Sequence, residues 1–273
     1  MSQPGAAIAE RPSLRAVVLL GFMTCATACG SRVVPLPDDV GAPLPDFATI
    51  HQDATRICRG VRTLEGQIAL RGSAGDQGLR ASVLAGFERP DSMRLEVLGA
   101  FGGVEVRLAA REGRATLLLT SDNLVVRDAP PGDVLGALTG VNLAPADVLA
   151  VLTGCVMPAP EPTAGRLHAN GWASIDIGGG AVVYLERSGE WRIRAARRDA
   201  WRIDYEEWEG LFPGVVRLQS LAARPAVEVT ATLSRISSNG EIPQAAFTLN
   251  VPEDAEDVTV DELRAIGPLG EEE

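Results

Sequence analysis

The chain contains no lysine; all 25 of its basic residues are arginine. That excludes Schiff-base chemistry and a phosphate-loop lysine. Histidine is nearly absent, with only His51 and His168. No HxxxH, CxxC or GxSxG spacing occurs, so the signatures of zinc sites, dithiol redox centres and serine hydrolases are missing. No catalytic residue, metal site or cofactor is expected. Glu206, Glu207 and Glu209 crowd around Trp208, but neighbours on a strand point to opposite faces, so they do not read as a catalytic carboxylate pair. Gly178-Gly179-Gly180 is followed by neither lysine nor a helix start and reads as a hairpin turn. Nor is there an apolar run of the roughly 20 residues that a membrane-spanning helix needs.

What is present at the N-terminus indicates export. Arg11 and Arg15 precede an apolar run from Ala16 to Met23, and Ala26-Thr27-Ala28 leads into Cys29. This is the charged, apolar and small-residue order of a secretory signal. Two small residues before a cysteine fit a bacterial lipobox, with Ala26 where an aliphatic residue usually stands. The expectation is cleavage of residues 1–28 and acylation of Cys29; the plainer alternative is an ordinary signal peptide with incidental cysteines. Gly30 is not the aspartate that retains lipoproteins in the inner membrane, which points to the periplasmic face of an outer membrane. Losing Arg11, Arg15 and Glu10 leaves 23 basic and 35 acidic residues, a net charge of −12. Such a balance excludes nucleic acid as a partner and disfavours loose adhesion to anionic headgroups. Cys58 and Cys155 remain, as a disulfide in an oxidising compartment or as two buried thiols.

Residues 29–45 carry Pro35, Pro37, Pro43 and Pro45 and read as an extended tether. Asp46 is placed to cap a helix of about four turns with Phe47, Ile50, Ala54, Ile57, Cys58 and Val61 at helical spacing. The period then falls to two. Strands are expected at 64–71, 81–88, 93–97, 104–108, 116–120 and 124–127. Residues 131–154 interrupt them with two short helices, one capped by Asp133 and one opened by Pro145 and closed by Gly154. Further strands are expected at 172–177, 181–187, 191–197, 201–207, 215–220, 226–234 and 246–251. Residues 253–273 form an acidic tail expected to lie loosely on the surface, with one more short element between Val258 and Ile266. The class is mainly β with few helices (α+β): one strongly curved antiparallel sheet, residues 46–252, with helices on its concave face.

Several segments, in their order, carry a resemblance. They are Leu64-Glu-Gly-Gln-Ile-Ala-Leu70, Arg89-Pro90, Met93-Arg-Leu-Glu-Val-Leu98, Gly99-Ala-Phe-Gly102, Leu138-Thr-Gly-Val-Asn-Leu143, Pro145 and Leu152-Thr-Gly154. Together they resemble the LolA/LolB-like family of periplasmic lipoprotein and lipid carriers, in the order and spacing of its membrane-anchored LolB-like branch. The likeness covers about half of the mature chain. It implies an unclosed, strongly curved antiparallel β-barrel whose helices form a lid over an apolar cavity for acyl chains, with no reaction catalysed. It also implies that Phe101, on a glycine-rich turn, is exposed toward the membrane or the cargo. The implied partners are an acyl lipid or lipoprotein cargo, the membrane through the N-terminal lipid, and a soluble periplasmic carrier; the chain is expected to be a monomer.

Periodicity supplies the inward candidates for such a cavity: Ile68, Leu70, Leu84, Leu95, Val97, Val104, Val106, Leu108, Leu117, Trp201 and Ile203 on the sheet, and Val134, Leu138, Leu149 and Leu152 on the helices. The same residues would equally fill a dry core. Two other function classes stay open from sequence: an envelope lipoprotein that binds a protein partner through the curved sheet, and an enzyme whose polar groups converge in the cavity.

Overall fold

Alternation becomes strand almost wherever it occurs. The computed structural model describes residues 34–156, 161–222, 226–267 and 269; the expected signal sequence (1–28) and Cys29 lie outside them. A two-residue strand β1 (Ala42–Pro43) precedes helix α1 (Phe47–Gly60). A meander follows: β2 (Thr63–Ala74), β3 (Gln77–Glu88), β4 (Ser92–Leu98), β5 (Val104–Arg111), β6 (Arg114–Leu119) and β7 (Leu124–Ala129). Helices α2 (Pro131–Thr139) and α3 (Pro145–Leu152) come next. The second run is β8 (Ala164–Leu167), β9 (Ala173–Asp176), β10 (Val182–Ser188), β11 (Glu190–Arg198), β12 (Trp201–Glu209), β13 (Phe212–Ser220) and β14 (Val227–Ser238). The described chain ends with β15 (Glu256–Asp257) and helix α4 (Val260–Ile266).

All of these strands belong to one sheet, ordered β1-β8-β9-β10-β11-β12-β13-β14-β2-β3-β4-β5-β6-β7-β15. The two runs join where β14 pairs antiparallel with β2, from Val227 opposite Ala74 to Ser238 opposite Leu64. Only β15 is parallel to its neighbour, β7. The sheet curves without closing, and each edge is a strand of two residues, too short to template another chain.

One face of each strand is apolar, and these faces converge on the concave side. Phe87, Met93, Leu108, Leu117, Ile175, Leu185, Ile193 and Tyr205 are its largest fully buried side chains on the sheet. Helix α1 lies against β8 and β11, α2 against β6 and α4, and α3 touches both β4 and β13, so it spans the concavity. Proline opens α2 and α3 at positions whose N–H has no helical partner, and Gly140, at φ 74°, ends α2. Gly154 turns left-handed at φ 84° after α3, and a Cβ there would stand 2.5 Å from the Trp208 ring.

Several local expectations need correction. Asp46 precedes α1 but makes no side-chain cap, and Ile57 faces solvent while His51 and Thr55 take the buried stripe with Cys58. Asp133 lies inside α2, where its carboxylate accepts from Asn142 Nδ2 at 2.9 Å. Residues 246–251 form no strand. The neighbouring strands are already paired on both sides, so this segment crosses the outer face instead. It makes a 3₁₀ turn (Gln244–Phe247) that buries Phe247 against β4 and β5. Over its described residues the acidic tail is docked rather than loose: β15 extends the sheet, and α4, which falls within the short element expected between Val258 and Ile266, begins with a reciprocal Thr259–Glu262 capping box and buries Leu263 completely.

Candidate functional site

The concave face holds a cavity of about 130 Å3 between α2–α3 and the sheet. Ile68 and Leu70 of β2, Val83 and Phe87 of β3, and Leu95 of β4 form one wall, and Val216, Leu218, Val229 and Ala231 of β13 and β14 another. Leu135, Val141, Leu143, Val148, Val151 and Leu152 close it from the helical side. Its single hydroxyl, Thr139 Oγ1, donates to the Leu135 carbonyl at 2.8 Å and accepts from the Val141 N–H at 3.2 Å, so it is engaged within the helical side. The lining offers contact area and no polar chemistry.

Of the inward candidates, Ile68, Leu70, Leu95 and Leu152 line this cavity. Val97, Val106, Leu108, Leu117, Val134, Leu138, Leu149 and Ile203 are buried in the continuous core around it, and Trp201 packs half-buried against that core. Val104 is half-buried at the start of β5. Leu84 is a correction: it is 41% exposed on the outer face, whereas its neighbour Val83 is 3% exposed and faces the cavity. Register decides this, because β3 pairs Val83 with Ile68 and Val97, all inward. Periodicity missed Val141 and Leu143, which lie in the α2–α3 connection, and the β13–β14 wall, which joins β2 only through long-range pairing.

Phe101 is fully exposed on the turn between β4 and β5, with Gly102 left-handed at φ 80°. Cys58 and Cys155 form a disulfide with Cα atoms 5.7 Å apart, tying the end of α1 to the end of α3. Buried Tyr205 donates to the Cys155 carbonyl at 3.0 Å; burial, together with the adjacent Asp204, pushes its phenol well above the usual range and keeps it a donor.

A second cavity, about 250 Å3, opens beside α1, where His51, Arg59, Arg89 and Glu161 meet the apolar side chains of Ile177, Val183 and Ile193. Burial lowers the His51 pKa, Arg59 adds to that, and Glu161 opposes it. His51 is therefore neutral at neutral pH. Among the described residues no three His, Cys, Asp or Glu side chains come together as metal ligands. Glu206 accepts from Arg217 Nε at 2.9 Å, and Gly178–Gly180 form a left-handed turn between β9 and β10. No helix among the described residues is long and apolar enough to cross a membrane.

No protein-family model matches this sequence, and no curated protein sequence matches it. Solved structures do. A LolA superfamily protein from Nitrosomonas europaea is 11% identical, with a TM-score of 0.46 over 74% of this chain and 96% of that one. A domain named for outer membrane lipoprotein sorting, from Vibrio parahaemolyticus, is 8% identical, with a TM-score of 0.47 over 73% and 95%. The Mycobacterium tuberculosis lipoprotein LppX is 9% identical, with a TM-score of 0.32 over 73% and 98%. The fold itself rests on the sheet order and register given above. The solved structures to which the chain is similar thus include a member of the LolA superfamily.

Proposed function

We propose that this chain is an envelope lipoprotein, acylated on Cys29 and held at the periplasmic face of the outer membrane. Its apolar cavity binds acyl chains of lipids or lipoproteins for transfer to, or insertion in, that membrane, and it catalyses no reaction. The observation that carries this reading is a cavity whose every lining group is apolar or internally satisfied, roofed by two short helices. Acyl chains need such a site and nothing more. Each buried methylene contributes roughly 0.8 kcal/mol, so eight of them supply about 6 kcal/mol. In its present form the space is small: a cavity of roughly 150 Å3 takes one benzene ring, against about 130 Å3 here. Loading a full chain requires α2 and α3 to lift, and the burial energy of the chain offsets that opening. Fully exposed Phe101 suits contact with lipid or incoming cargo, which a soluble periplasmic carrier would deliver. The alternative of a protein-binding scaffold has less to work with, since both sheet edges are two-residue strands.

Native mass spectrometry with lipid extraction, on the form lacking residues 1–29, tests the reading. Acyl lipid is expected to co-purify or be taken up, and Leu95→Arg, which puts a charge into the cavity wall, should remove it while the thermal midpoint shows that the fold persists. A clean mass, with no uptake of added lipid or lipopeptide, would overturn the carrier and leave the scaffold.

A further inference from the structure

Helix α3 separates two cavities of different chemistry. Val148, Val151 and Leu152 line the apolar cavity, whereas Ala150 lines the cavity of about 250 Å3 beside α1. At 3.6 residues per turn the first three share one face of α3, and Ala150 stands on the opposite one. The core divides in the same place, since Ala150, Cys58 and Cys155 form a small cluster apart from the main one. The cavity beside α1 is thus a site of its own, and acyl-chain binding in the other does not account for its charged lining.

The end of α1 gathers that lining. Arg59 stands in its last turn. Arg89, between β3 and β4, is drawn to the same end: its N–H donates to the Arg62 carbonyl at 2.9 Å and its Nε to the Val61 carbonyl at 2.8 Å. Both Nη groups of Arg89 are left without a hydrogen-bond partner among the described residues, and neither arginine has an ion-pair partner there. His51 is only 4% exposed, yet among the described residues its ring nitrogens have no partner. Buried polar groups are normally hydrogen-bonded, so an unpartnered ring on a cavity wall points to a ligand. As a neutral imidazole it has one N–H to donate. Thr55 Oγ1 is spent on the His51 carbonyl at 2.7 Å. Glu161 is the one acid of the lining. Two arginines, one glutamate and a neutral histidine sum to a single positive charge, in a chain whose net charge is −11. Residues 157–160, Met-Pro-Ala-Pro, add none. A carboxylate closes that balance and matches the guanidinium fork, whereas the dianion of a phosphate monoester exceeds it. The remaining wall is apolar, with Val156, Ile177, Val183 and Ile193. A cavity of roughly 150 Å3 takes one benzene ring, so this one admits a carboxylate together with about six carbons.

We propose that the cavity beside α1 is a second binding site, for a small monocarboxylate on an apolar chain: Arg59 and Arg89 hold the carboxylate, His51 donates to it, and the chain lies against the apolar wall. The test is a proton NMR titration of the untagged form lacking residues 1–29, which keeps every strand and helix of the fold. The chain has two histidines, His51 and His168, so the imidazole Cε1–H signals can be assigned with His51→Gln. At about pH 7.5, where His51 is neutral, hexanoate should shift the His51 signal saturably and leave that of His168 in place. Hexanol, which lacks the charge, and acetate, which lacks the chain, should each bind at least about tenfold more weakly. Arg59→Gln and Arg89→Gln should each weaken hexanoate to a similar extent, and Ala231→Leu, which fills the other cavity, should not. No shift at His51, or a shift of equal affinity with hexanol, overturns the proposal on the unmodified protein alone. Affinity that survives both arginine substitutions, or that is lost in Ala231→Leu, overturns it as well; in every one of these cases the acyl-chain carrier reading is untouched, because it is tested by lipid uptake in the other cavity.

Discussion

His51 shows how one buried residue sets a pH dependence. Its folded pKa is depressed by burial, next by Arg59, whereas the unfolded chain titrates near about 6.5. Below that value the unfolded state binds a proton that the folded state resists, so stability is complete above about pH 6.5 and declines as pH falls toward the folded value. Urea unfolding should give a lower stability at pH 5.5 than at pH 7.5, and His51→Gln should flatten that difference; an unchanged slope would mean that the imidazole is solvated. Asp39 acts in another window. Burial works to raise its pKa, but the Ala169 N–H and His168 outweigh this and hold it below 3.8, so its contribution is present above about pH 4 and lost below.

At the scale of the element, β3 offers a direct check on register. Val83 and Leu84 are neighbours of similar hydropathy, yet one enters the cavity wall and the other faces outward. Leu84→Gln should change stability by no more than about 0.5 kcal/mol. Val83→Gln should lower it by about 2 kcal/mol or more, because an amide is buried without a partner. Equal losses would place the strand in another register. The Cys58–Cys155 bridge spans a sequence separation of 97, and closing a loop near that length stabilises by about 4–5 kcal/mol in the chain-entropy model. The Cys58→Ala/Cys155→Ala protein should therefore show a loss of several kcal/mol on urea unfolding. Since the bridge holds the end of α3, a fluorescent fatty acid should also enter this variant faster.

For the molecule as a whole, the proposed function turns on the balance between a filled core and an openable cavity. Ala231 lies in the β14 wall, where three added carbons enter a void of about 130 Å3. Ala231→Leu is expected to hold or raise the thermal midpoint while reducing lipid uptake several-fold in a fluorescence titration. Stability and binding move in opposite directions only if the space serves a ligand; a parallel loss of both would mark the site as core. The curvature of the sheet and the bridging of β4 and β13 by α3 place this void under the lid.

Much of this was readable in the chain itself. Periods of 2 and 3.6 locate most strands and the three longer helices, because burial of one face imposes them locally. The expectation of export and acylation is read from the linear N-terminal sequence alone. The absence of lysine excludes Schiff-base and phosphate-loop lysine chemistry before any fold is known. Periodicity could not separate Leu84 from Val83, since which face is buried depends on pairing partners far along the chain. Nor could it seat Phe247 on the outer face or dock the acidic tail through Leu263, where isolated apolar residues find partners only after the sheet has curved. The disulfide required a Cα separation, and the seating of residues 34–43 across Arg202, His168 and β8 required β8 to β12 to be gathered into one sheet. Local sequence fixes which face of an element is apolar; only tertiary pairing decides what meets that face, and whether the space left there is filled.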